Sequence, residues 1–162
     1  MPFAYFLIVL GVAACAFAIR REAQIKPMRI WHLYGPFVAA LVVAAIPFLL
    51  RAPNPGNLVV WGLALAAGAA IGVLRGLALR IQVDQMWALV RLPQARDALI
   101  IVVLIGLLAA ARIGSQAAGP SGAEYLQPLN AALAWCAGFL GGRALAIVSR
   151  IRRAPHFELR QF

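Results

Sequence analysis

Arg75 and Arg143 are the residues whose type and placement ask for chemistry. Each lies inside an apolar run about a turn or more before that run ends, and each adjoins glycine: Arg75 precedes Gly76, and Arg143 follows Gly141 and Gly142. A guanidinium in mid-bilayer costs several kcal/mol, whereas near a helix end its long stem lets it snorkel to the headgroups. Snorkelling is the plainest account of either arginine alone. Together they suggest a cationic notch at one depth, in which the neighbouring glycines leave room for a headgroup or carboxylate. The planar guanidinium fork holds two phosphate oxygens at once. Arg80, Arg20, Arg21 and Lys26 extend the notch, so the anionic-ligand or lipid-headgroup set is Arg75, Arg143, Arg80, Arg20, Arg21 and Lys26.

The elements that position these groups are membrane helices. Only 12% of the 162 residues are charged and 64% are hydrophobic, against about a quarter and about half in a soluble domain. The fold class is therefore an all-α, polytopic membrane bundle, a single transmembrane domain over 1–162. Five spans are expected, at about 2–19, 33–50, 58–79, 98–113 and 127–148, each near the ~20 residues that cross ~30 Å of hydrocarbon. The fourth is shortest and needs an upright course or added flanking residues. "RAPNPGN" (51–57) and "GSQAAGPSG" (114–122) carry turn chemistry. Pro47 removes a backbone bond near the end of the second span and is expected to kink it. "VAAC" (12–15) resembles a lipoprotein cleavage box. No basic segment precedes it and "RR" follows the apolar run, so 2–19 reads as a reverse signal anchor.

Of the fifteen Lys and Arg residues, all but Arg51 and Arg112 fall in 20–32, 75–97 or from 143 onward. The positive-inside rule then sets the N-terminus out and the C-terminus in, with 149–162 a basic cytoplasmic tail, in a bacterial inner membrane. The net charge of +10 is concentrated at span ends. It points to anionic lipid on the cytoplasmic side and not to nucleic acid, since no aromatic-interleaved basic stripe is present. In the 80–92 segment, "LRIQVDQMWALVRL" alternates apolar and polar residues about a turn at Asp84–Gln85. It reads either as a short β-hairpin or as an irregular or helical interfacial loop with Trp87 at headgroup depth.

Gly68, Gly72 and Gly76 repeat every four residues along one face of the third span, as Gly138 and Gly142 do on the fifth. Such small-xxx-small faces let helix backbones approach closely, either to each other or to another subunit. A protein partner or self-association through the glycine faces is thus expected.

Cys15 and Cys136 form no CxxC, and neither they nor His32 and His156 have metal-ligand spacing, so no metal or cofactor is called for. The acids are Glu22, Asp84, Asp97, Glu124 and Glu158, none deep in a span. This disfavours a proton relay or a cation-coupled transporter. No hydrolase or nucleotide-binding motif is present, and no catalytic residue is assigned.

"AIRREAQIKPMRIWHLYGPF" (18–37) resembles the CcdC-like bacterial membrane proteins. In that family a first span leads to a basic segment with an Arg-x-x-x-Gln-x-x-Pro-like core, which Arg21, Gln24 and Pro27 roughly fit. A proline-bearing second span, a third leading into "IQVD" and an "LVRL"-like return follow. The resemblance implies this topology and, through the family's name, a link to cytochrome c maturation, without an established activity. The missing CxxC departs from any thiol-relay role.

Three functions compete. One is a non-enzymatic accessory or assembly subunit of a larger membrane complex. Another is a small homo-oligomeric protein that binds or translocates anionic lipid at the notch. The third is an intramembrane enzyme on a phosphorylated lipid, with Asp84 or Glu22 as its base.

Overall fold

The computed structural model describes residues 2–23, 28–50, 55–79, 81–84, 89–91 and 96–151. Among these, five α-helices are present: α1 Pro2–Ala23, α2 Gly35–Leu50, α3 Pro55–Ala78, α4 Arg96–Ala117 and α5 Ala123–Ile151. Three of them, α3, α4 and α5 from Glu124, are long and apolar enough to cross a membrane; further apolar helical stretches are Phe6–Arg20 within α1 and Gly35–Ile46 within α2. The fourth helix is longer than its apolar run, because Arg96, Asp97 and the polar residues after Arg112 join it. Its 22 residues reach about 33 Å at ~1.5 Å per residue. Beyond its last turn Gly119 takes φ +70°, the left-handed C-terminal position that favours glycine. The backbone N–H of Ala118 donates to the Gly114 carbonyl (3.0 Å) just before it.

The main core is built from four helices. Cys15 and Ile19 of α1, Ala40, Val43 and Ala44 of α2, Ala98, Ile101, Val102 and Ile105 of α4, and Leu133, Cys136, Ala137 and Leu140 of α5 pack into one cluster. α5 touches α2, α3 and α4, and α1 closes the group against α2 and α4. Phe37 of α2 lies over Gly141, where a Cβ would collide with its ring. Two thirds of the α5 span is buried, against 11% of the α3 span. So α5 is the central post and α3 is a flanking helix.

The attachment of α3 explains the glycines. Its buried residues are Gly68, Gly72 and Gly76. A Cβ on Gly68 would collide with the Trp135 carbonyl oxygen, and one on Gly72 with that of Phe139. Reciprocally, a Cβ on Gly138 would meet the Leu65 oxygen, and one on Gly142 the Ala69 oxygen. Each glycine thus faces the carbonyl of the residue three positions before a glycine on the other helix. The two backbones are in contact along the seam, the geometry in which dispersion and Cα–H···O contacts replace side-chain packing. Contact partners advance in the same sense on both helices, so α3 and α5 run parallel. The intervening chain must therefore return once through the bundle, and α4 is that return.

At one end, short strands tie two connections together. β1 (Met28–Arg29), β2 (Gln82–Asp84) and β3 (Leu89–Arg91) form a sheet in the order β1-β3-β2. β2 pairs antiparallel with β3 through Gln82↔Arg91, Val83↔Val90 and Asp84↔Leu89, and β1 pairs antiparallel with β3 through Met28↔Val90 and Arg29↔Leu89. The turn expected at Asp84–Gln85 involves 85–88, which lie outside the described residues. Val90 is fully buried beside Leu33, Leu79, Ala144, Ile147 and Ile151. The α1–α2 connection, the α3–α4 connection and the last turns of α5 therefore share one end of the bundle, and they are the three basic segments of the chain.

Candidate functional site

The basic end holds the candidate site. Arg75, in the last turn of α3, meets Asp97 in the first turn of α4. Nε donates to Oδ2 at 2.7 Å and Nη2 donates to Oδ1 at 3.0 Å, a two-point fork on one carboxylate. The arginine side chain is half exposed and the aspartate less so. The charge of Arg143 also acts on Asp97. Arg143 itself is 4% exposed. Its backbone lies against α3 between Gly72 and Gly76, whose added Cβ atoms would meet its N on one side and its O and Cα on the other. The absence of side chains on those two glycines is what lets the α5 backbone at Arg143 lie directly against α3.

The notch between the arginines is thus served by a carboxylate of the chain itself. Asp97 had the right signal: an acid at the start of the fourth helix, joined by a returning loop to the end of the third, so that both sit at one depth. A carboxylate at a helix N-terminus is also favoured by the helix dipole. Two arginines acting on one aspartate leave the cluster net positive, which still suits an anion.

The other members of the expected set are Arg20, Arg21, Lys26 and Arg80. Arg20 is exposed on α1, Arg21 is in the last turn of α1 with its side chain outside the described residues, and Lys26 and Arg80 lie outside the described residues altogether. Gln24, Pro27 and the tail from 152 onward do so too. His32 is exposed. Among the described residues no three His, Cys, Asp or Glu side chains gather as a metal site. Cys15 and Cys136 are both free and buried, and the Cys15 thiol donates to the Pro36 carbonyl at 3.6 Å.

Two arginines matter more than their sequence positions suggested. Arg150 of α5 reaches the end of α3, where its Nη1 donates to the carbonyls of Gly76 (3.2 Å), Leu77 (2.8 Å) and Leu79 (2.7 Å). Those oxygens have lost their helical partners, and a cation suits the negative end of the dipole. Arg112, at the opposite end of α4, is 5% exposed, and its Nε donates to Asn130 Oδ1 of α5 at 2.9 Å. Asn130 inside an apolar run and Arg112 at matching depth across a short connection were the available signs.

No family model matches the chain, and no curated protein or solved structure matches it either.

Proposed function

We propose that this is a non-enzymatic bacterial inner-membrane protein that works by binding, as an accessory or assembly subunit of a larger membrane complex. In this reading it spans the membrane five times, N-terminus out and C-terminus in. The observation that carries it is the posture of α3. The helix is sewn to α5 along a glycine seam and turns its remaining faces outward, with Leu63 and Leu74 about two thirds exposed and Leu58, Val59, Ile71 and Leu77 beside them. The polar groups within the bundle support the same reading: Arg75, Arg112 and Arg150 join one helix to another, an arrangement suited to holding a surface in place. The CcdC-like resemblance belongs to this proposal, and the buried, separate thiols fit a role without thiol exchange.

Native mass spectrometry after mild detergent extraction from the source membrane tests it. A larger assembly containing other polypeptides is expected; a lone chain carrying only lipid overturns the subunit reading.

A second reading is favoured by the net positive Arg75–Asp97–Arg143 cluster: a homo-oligomer that binds anionic lipid from the cytoplasmic leaflet. Replacing both arginines by Gln then lowers copurified anionic lipid while the chain still folds. Unchanged lipid content removes this reading.

A further inference from the structure

Toward the N-termini of α3 and α5 the backbone seam ends. In place of glycines, the facing residues are Asn57, Val60 and Trp61 of α3 and Gln127, Asn130 and Ala131 of α5, and a cleft opens between them. Behind it stands the buried Arg112, bonded to Asn130. We infer that this cleft binds a phosphate group, presented by a phospholipid headgroup of the adjacent leaflet or as the free ion. The inference rests on the membrane-spanning placement proposed above, and it is independent of the subunit reading and of the cluster around Arg75.

Three features converge on that ligand chemistry. A buried arginine within a membrane bundle is costly to place and marks a working site more often than a packing residue; this one sits at the end of the bundle that the chain otherwise leaves poor in charge. Its bond to Oδ1 orients the Asn130 carboxamide, so the amide offers its NH2 as the group on the far side from Arg112. The cleft thereby presents donors backed by a positive charge. Asn57 lies in the first turn of the 24-residue α3, at the positive end of the helix dipole. Among the described residues no carboxylate lines the cleft. Gln127 supplies a further carboxamide, while Val60, Ala131 and the Trp61 ring give the apolar flank on which a glycerol backbone can rest. Tryptophan is the residue that favours headgroup depth.

The test is native mass spectrometry of the full chain in a non-ionic detergent, titrated with dioctanoyl phosphatidylglycerol and separately with inorganic phosphate. Asn130→Asp keeps an oxygen for Arg112 but exchanges the NH2 donors for negative charge. It should keep the wild-type unfolding temperature within a few degrees and lose one bound lipid, with affinity at the cleft down at least tenfold. The Asn57→Leu/Gln127→Leu double variant, which leaves the Arg112–Asn130 bond intact, should lose the same lipid. Gln116→Leu, exposed on α4 and outside the cleft, should bind as wild type does. A bound state seen only with the lipid identifies a headgroup, and one seen equally with inorganic phosphate identifies the free ion. The same stoichiometry and affinity in wild type, Asn130→Asp and the double variant overturn the assignment. Membrane placement is read separately, by accessibility of cysteines placed at 116 and 149, so its failure is distinguishable.

Discussion

Arg75 and Asp97, 22 residues apart in the chain, face each other across the C-terminal end of α3 and the N-terminal end of α4 as a two-point ion pair, with Nε–Oδ2 at 2.7 Å. The pair fastens the flanking helix to α4 at the level of Gly76, the last glycine of the seam. Asp97→Asn should lower the thermal midpoint in detergent, and Arg75→Gln should lower it by a similar amount. The double variant should cost less than the two single changes added together, because they share one interaction. Strict additivity would show that the two side chains do not act on each other. The arginine of the pair is half exposed, so its effect should shrink in high salt.

The glycine seam should be the most sensitive feature of α3. Gly72→Leu places side-chain atoms where the Phe139 carbonyl and Arg143 N already sit, and backbone cannot rotate away as a flexible side chain can. A loss of ~1–3 kcal/mol, toward the upper end of that range, is expected in reversible unfolding. Gly62, on the same helix, has nothing within 4 Å of an added Cβ. Gly62→Ala should therefore stabilise by ~0.5–1 kcal/mol through helix propensity and reduced unfolded-state freedom. Equal effects at 62 and 72 would contradict the packing described.

Arg150→Ala should fray the end of α3. Removal of the guanidinium leaves the Gly76, Leu77 and Leu79 carbonyls without their donor, at a cost of about 1–2 kcal/mol. Hydrogen exchange should rise in the amides near 76–81 and stay unchanged at 100–110. Arg150→Lys should recover part of the protection, since the charge remains while the planar fork is lost.

Cys15 and Cys136 have no exposed surface. Neither should react with N-ethylmaleimide in the intact membrane, and both should react after denaturation in SDS. Rapid labelling of either in the native protein would mean that the core formed by α1, α2, α4 and α5 opens readily.

Much of the architecture was legible because the membrane is a severe solvent. Apolar runs, arginine asymmetry and proline-rich breaks each follow from the cost of exposing charge or unpaired backbone groups to hydrocarbon. The glycine periodicity marked the faces on which helices can approach, yet it left open whether the partner was another helix of the same chain or another molecule. In sequence the Arg75–Arg143 notch points to an anion from outside the chain, and Asp97 does not stand out, because an acid at a helix end is ordinary when only its own helix is in view. Arg112 stands in the sequence only as one of two basic residues away from the basic segments.

By itself, the sequence determined the residue classes, the helical runs and the clustering of basic residues at alternate connections, because hydrophobic length and charge cost act locally along a chain. Only the tertiary structure decided that α3 and α5 lie parallel with backbones in contact, that Asp97 reaches Arg75, that Arg150 covers the end of α3 and that Arg112 stands behind a carboxamide-lined cleft. Those outcomes depend on the rotation and relative height of helices. Apolar residues surround most of each span and set neither, so the few glycines and polar pairs choose them only once the helices meet.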